Sequence, residues 1–235
     1  MDGANQRFME GKERWLANHL IVYNASRATG GANPFNQNLG TVDTELPVQE
    51  FDLRKIGSMQ TEAGGSAKEY ELRLLRETDN KPDGSAGTRK VTGSTHAIRA
   101  YFLPWGGGRT YCGKLGINAE YFFTPTLNGC TFGWRGHGPS PSVAHSNFAN
   151  PVTQQADQNA MDADMTTKFG GSLPAHMLVK TDYKRAPIGL EDYRSTVVGI
   201  RAGNTWHFYY QNYKAESLGG GKVTKTGIGL CIPIV

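Results

Sequence analysis

Residues 119–148 read "AEYFFTPTLNGCTFGWRGHGPSPSVAHSNF", and this stretch decides the predicted fold. Three runs within it, residues 119–124, 130–134 and 142–148, have the length and composition of short β-strands. Asn128-Gly129, a pair typical of tight turns, separates the first run from the second, and a loop rich in glycine and proline precedes the third. The stretch therefore predicts three short strands joined by a sharp turn and a loop.

The strand pattern continues on both sides of this stretch. Residues 68–77 and 96–105 alternate apolar with polar side chains, as expected of strands with one face toward solvent. Gly203-Asn204 lies between two strand-like runs and predicts a tight hairpin. Further runs with strand character lie at residues 20–24, 175–181, 195–201, 205–211 and 227–235.

Helical signals are confined to two segments. Residues 5–19 place apolar side chains at roughly helical spacing. A second helix is predicted from Asn150, a favourable N-cap followed by Pro151, to about Lys168, where "FGG" ends it. The predicted class is therefore α+β, a mostly antiparallel β-sandwich core with flanking helices. No change of composition marks a linker, so we expect residues 1–235 to form a single domain.

The composition narrows the possible partners. The chain has 235 residues, 30 of them glycine, and a net charge of +4 that comes from scattered lysine and arginine. Because nucleic-acid binding usually requires a basic patch, we expect no direct nucleic-acid partner. No apolar run approaches the roughly 20 residues of a membrane span, and no secretory leader is visible, so we expect no membrane partner.

The three cysteines, Cys112, Cys130 and Cys231, are too few and too widely spaced for a disulfide framework. No Cys-x-x-Cys or His-x-x-x-His pair is present, so we expect no metal site. Cys231 lies in an apolar run that should raise its thiol pKa, and Cys112 has no basic neighbour in the sequence. We interpret both as unreactive, buried thiols.

Cys130 has a different setting, because it follows the turn at Asn128-Gly129 where an aromatic strand ends. A sharp turn can present a nucleophile and leave backbone N–H groups available to an oxyanion. His145 follows fifteen residues later on its own predicted strand, so two antiparallel strands could bring the thiol and the imidazole together. His137 is the alternative base, although its loop would position it less well.

The motif Leu127-Asn128-Gly129-Cys130, followed on a later strand by His145, resembles the Burkholderia lethal factor family of glutamine deamidases. It also resembles the related catalytic domains of the cytotoxic necrotizing factors. The shared pattern is Leu-Ser/Asn-Gly-Cys and then the histidine.

The resemblance to the lethal factor covers about residues 98–150, where "LPW" (residues 103–105) and "FFT" (residues 122–124) match in the same order. Two features depart from the family. Asn128 replaces the usual serine, and the interval from cysteine to histidine is longer than in the lethal factor and closer to that of the necrotizing factors.

The resemblance implies a bacterial toxin with a β-sandwich core, no cofactor, and conversion of a glutamine side chain to glutamate. It assigns Cys130 as the nucleophile and His145 as the acid–base residue. Thr124 becomes the third catalytic residue, which orients the histidine or contacts the amide. Backbone N–H groups at Asn128-Gly129 would hold the oxyanion.

The resemblance also implies the partner. The closer local match favours a host translation-initiation RNA helicase of the DEAD-box class, and the alternative is a Rho GTPase. We expect a monomer that is made in the bacterial cytoplasm and acts in the host cytosol.

Trp105 in one loop, and Trp134 and Arg135 in another, are the candidate contacts to a protein substrate, because Trp and Arg often dominate binding surfaces. Two other functions remain open from the sequence. One is a cysteine protease or transglutaminase with the same Cys–His chemistry. The other is a non-enzymatic, β-rich binding module in which Cys130 is structural.

Overall fold

The computed structural model describes residues 2–23, 39–74, 76–80, 86–90, 97–183, 192–219 and 222–234. The helices are α1 (Asp2–Glu10), α2 (Lys12–Leu16), α3 (Gln158–Lys168) and α4 (Lys180–Tyr183). The strands are β1 (His19–Val22), β2 (Val48–Thr61), β3 (Ser66–Leu74), β4 (Arg76–Asn80), β5 (Ala86–Lys90), β6 (Ile98–Phe102), β7 (Arg109–Lys114), β8 (Tyr121–Phe123), β9 (Thr131–Arg135), β10 (Ser142–Asn147), β11 (His176–Leu178), β12 (Asp192–Ala202), β13 (Thr205–Gly219) and β14 (Lys222–Pro233).

Eight strands form a large sheet in the order β1-β3-β2-β14-β13-β12-β8-β6. The long strand β2 also pairs with β6, so the sheet closes on itself. Most of its neighbours are antiparallel, and β1–β3, β14–β2 and β6–β8 are parallel. β4 and β5 form a separate two-stranded hairpin.

A second, four-stranded sheet has the order β11-β9-β10-β7 and is antiparallel throughout. One face of it packs on the large sheet through aromatic rings. The ring centroids of Phe122 and Phe132 lie 5.7 Å apart, and those of Trp134 and Phe208 lie 4.8 Å apart. This contact forms the interior of the sandwich, where aromatic pairs contribute large apolar area.

Helices cover the outer faces of the two sheets. Phe8 of α1 packs against Tyr121 and Phe123 of the large sheet. Met165 of α3 packs against Cys112 on the outer face of the small sheet. The prediction of an α+β protein with a β-sandwich core and flanking helices is confirmed.

The second helix begins later than the sequence predicts. The Asn150 side chain accepts hydrogen bonds from the N–H groups of Val152 and Thr153, and so caps a turn. Asp157 is the actual N-cap, since its carboxylate accepts the N–H of Ala160. The predicted end at Lys168 is confirmed, and so is the hairpin at Gly203-Asn204.

Candidate active site

The turn before β9 requires the glycine that the sequence provides. Gly129 has φ +91°, a conformation that side chains with a Cβ rarely adopt. A Cβ at this position would lie 3.0 Å from the Cβ of Ala156. Asn128 is exposed, whereas Cys130 is buried directly ahead of β9. The chain therefore bends inward at Gly129 and carries Cys130 into the interior.

Strand register places Cys130 and His145 on the same face of the small sheet. His145 pairs with Phe132, and Ser146 pairs with Thr131, so the antiparallel register runs toward Cys130. Cys130 and Phe132 belong to the same core cluster between the sheets. If the register is continued by one residue ahead of β9, Cys130 is a diagonal neighbour of His145, a relation that typically separates two residues by about 7–8 Å.

Thr124 fixes the tautomer of His145. The Thr124 hydroxyl donates its proton to the carbonyl oxygen of Leu103 at 2.8 Å. The hydroxyl oxygen of Thr124 lies 2.7 Å from Nδ1 of His145. It must accept this second hydrogen bond, because its own proton is already donated to Leu103. Nδ1 therefore carries the proton, and Nε2 keeps its lone pair for base chemistry.

The environment of His145 keeps this imidazole neutral. The residue is only 1% exposed, and burial lowers its pKa to about 3. Nε2 is buried and has no hydrogen-bond partner among the described residues. An unpaired buried acceptor costs about 1–3 kcal/mol, and such groups often mark a catalytic position. The site therefore holds a neutral base with an available lone pair.

The burial of His145 predicts a pH dependence of stability. Between pH 6.5, the ordinary pKa, and the folded value of about 3, the unfolded chain binds a proton that the folded chain excludes. The free energy of unfolding should therefore fall with decreasing pH by up to about 1.4 kcal/mol per pH unit. Denaturant titrations between pH 7 and pH 5 should show this slope in the wild type and a smaller one in His145→Asn. Equal slopes would contradict a neutral, buried His145.

Tyr183 is part of the site, although no pattern in the sequence pointed to it. Its hydroxyl accepts the N–H of Gly129 at 2.8 Å and donates to the carbonyl oxygen of Cys130 at 2.8 Å. The expectation that the N–H of Gly129 is available to an oxyanion is therefore wrong. Any oxyanion donor must come from another group.

The other two cysteines lie away from this face. Cys112 is buried on the outer face of the small sheet beneath α3, and burial raises its thiol pKa to about 11. Burial also raises the thiol pKa of Cys231, which is only half-buried. A raised pKa lowers the fraction of reactive thiolate, so both shifts agree with unreactive thiols.

Trp134, one of the predicted contacts to a protein substrate, is buried. It is 8% exposed and stacks on His176 with ring centroids 4.3 Å apart. Because Trp134 lies two residues beyond Phe132 on β9, it points to the same interior face. Arg135 donates to Ser172 and to the carbonyl of Phe169, so its side chain anchors the segment after α3.

Trp105 and His137 lie in different places relative to His145. Trp105 is half-buried in a turn whose Gly106 packs on Tyr111, the residue paired with His145. His137 is exposed beyond the far end of β9 and borders a cavity of about 270 Å³. The structure thus joins Thr124 to His145, places Cys130 in the core cluster that holds Phe132, the strand partner of His145, and leaves His137 outside.

Among the residues that the structure describes, no group of three or more His, Cys, Asp or Glu side chains is arranged to hold a metal ion. No helix in the same ranges is long and apolar enough to cross a membrane.

Comparisons with known proteins give a likeness in structure but none in sequence. No family model and no curated protein matches the chain. Among solved structures, it is similar to the crystal structure of the C-terminal domain of CNFy from Yersinia pseudotuberculosis. The match covers 87% of this chain and 96% of that one, with 9% identity and a TM-score of 0.32. At this TM-score we transfer no activity from the likeness.

Proposed function

We propose that this chain is a glutamine deamidase that converts the side chain of a protein-bound glutamine to glutamate. One observation carries the proposal. Thr124 holds Nδ1 of His145 at 2.7 Å, and the other ring nitrogen, on the face that also carries Cys130, has no hydrogen-bond partner in the described part of the chain. A thiol, an oriented imidazole and an orienting third residue form the arrangement that covalent amide chemistry requires.

The first half of the reaction releases ammonia. Nε2 of His145 takes the thiol proton of Cys130 as the sulfur attacks the carboxamide carbon of the substrate. The imidazolium then gives this proton to the leaving nitrogen, the C–N bond breaks, and ammonia departs from a thioester. Thr124 keeps Nδ1–H engaged throughout and so holds the ring in one orientation while the imidazolium forms transiently.

The second half restores the enzyme. Water attacks the thioester carbon while His145 accepts a proton from it, and the C–S bond breaks. The proton returns to the sulfur of Cys130, and the product is a glutamate side chain. No oxidant, reductant or metal is consumed in either half.

The burial of the site supports a side-chain amide as the substrate. Cys130 is 5% exposed and His145 is 1% exposed. A polypeptide main chain would need an open cleft across the thiol, whereas a glutamine side chain would need only a narrow entrance for its terminal carboxamide. This geometry favours deamidation over peptide-bond cleavage.

The motif resemblance supports a host protein as the partner, with a DEAD-box translation-initiation helicase preferred over a Rho GTPase. Trp105 is the best placed of the predicted substrate contacts, because its turn borders Tyr111 and is partly exposed. Trp134 and Arg135 are occupied by intramolecular contacts. We therefore place recognition of the protein surface at the turn of Trp105.

The test compares substrates of different size. Ammonia release should be efficient with a purified helicase or Rho GTPase and negligible with free glutamine, since binding energy from the protein surface is needed to align the carboxamide. Cys130→Ser is the matched inactive control. A similar kcat/KM for free glutamine and for the intact protein would contradict the proposal and indicate a small-molecule amidase.

A further inference from the structure

Tyr183 connects the large sheet to the turn that carries the nucleophile. It is the last residue of α4 and is fully buried. Asn212, on β13 of the large sheet, donates from its side-chain amide to the carbonyl of Tyr183 at 2.9 Å. The phenol ring then extends to Gly129 and Cys130 in the small sheet.

The Tyr183 hydroxyl is hydrogen-bonded to two backbone groups of the turn. Its oxygen accepts from Gly129 and its proton goes to the carbonyl of Cys130, each at 2.8 Å. A phenol has one proton to donate, so this pair of bonds fixes its orientation. The two bonds also span the peptide unit between Gly129 and Cys130, where Gly129 has φ +91°.

The two hydrogen bonds of the Tyr183 hydroxyl form a clamp on the turn, and the register of β9 explains why this clamp matters. Ladder pairing between β9 and β10 begins at Thr131, one residue after Cys130. The direction of the Cys130 side chain depends on the backbone angles at residues 129 and 130, which both hydrogen bonds restrain. A thiol that is displaced by a fraction of an ångström from the carboxamide carbon loses much of its rate.

We propose that Tyr183 is a positioning residue for the nucleophile. Its hydroxyl locks the turn at Gly129 so that the sulfur of Cys130 faces His145 and the entering carboxamide. This role deepens the proposed deamidase function and rests on it.

Tyr101 provides a matched control. It is also fully buried, belongs to the same core cluster, and its hydroxyl likewise donates to an oxygen, on Glu45, and accepts a backbone N–H, from Asn118. Phenylalanine at either position removes a buried hydroxyl that both donates and accepts hydrogen bonds. Only the change at residue 183 touches the backbone of the nucleophile turn.

Tyr183→Phe should lower kcat about 10- to 100-fold with KM nearly unchanged, because one pair of hydrogen bonds is lost near the reacting atoms. Tyr101→Phe should keep the wild-type kcat. Both variants should show similar melting temperatures. An equal loss of kcat in the two variants, or a wild-type kcat in Tyr183→Phe, would overturn the positioning role.

A readout that needs no substrate separates this inference from the proposed function. Amide hydrogen exchange at Gly129 should be slow in the wild type and in Tyr101→Phe, and faster in Tyr183→Phe. If the wild type shows no deamidase activity while this exchange pattern holds, the proposed function fails and the clamp remains. Unchanged exchange at Gly129 in Tyr183→Phe would refute the clamp itself.

Discussion

Cys130→Ser should reduce deamidation of a protein substrate to the background rate, a loss of about 10⁴-fold or more. Serine nearly preserves the size of the side chain, but its hydroxyl ionises far less readily than a thiol near neutral pH. The variant should fold normally, because Cys130 contributes little volume to the core. Ammonia release and circular dichroism, measured on the same preparation, check the loss of activity and the retained fold.

Cys112→Ser is the matched control for this change. Cys112 is also buried, but it lies beneath α3 on the face of the small sheet away from His145. Its replacement should likewise leave the fold intact and should not lower kcat. Retained activity in a folded Cys130→Ser protein would remove Cys130 as the nucleophile.

His145→Ala should lower kcat by about 10²-fold or more, the typical contribution of a general acid–base residue. Without the imidazole, the proposed route of the thiol proton to the leaving nitrogen is lost. Because His145 is fully buried, the variant also loses packing, so His145→Asn should accompany it as a less disruptive replacement. Steady-state kinetics at pH 7 measures the effect.

His137→Ala provides the comparison for the histidines. His137 is exposed and lies beyond the end of β9 that is remote from Cys130. Its replacement should change kcat by less than about threefold, as expected for a residue that touches no reacting atom. The opposite ranking of the two histidines would show that the base has been assigned to the wrong residue.

Local sequence signals were sufficient to predict the turn and the two strands around Cys130 and His145. The turn at Asn128-Gly129 and strands β9 and β10 follow from short-range composition, and the structure contains all three. Strand β2, in contrast, was not predicted. Its 14 residues pair with β3, β6 and β14, so its length is set by partners that are distant in the sequence.

The contacts that complete the site are also long-range. Thr124 meets His145 across the interface between the two sheets, and spacing alone does not predict this hydrogen bond. Tyr183 reaches the nucleophile turn from 53 residues away. The burial of Trp134 could have been predicted, because Cys130, Phe132 and Trp134 alternate with period two and should share the interior face.

The central claim is that Cys130 converts a protein-bound glutamine to glutamate. Its most direct test is quantitative mass spectrometry of a eukaryotic lysate treated with the wild-type chain or with Cys130→Ser. We predict that one or a few glutamines become glutamates only with the wild type, without new chain ends or amine cross-links. The absence of any Cys130-dependent glutamine-to-glutamate conversion would contradict the claim, as would Cys130-dependent peptide-bond cleavage in its place.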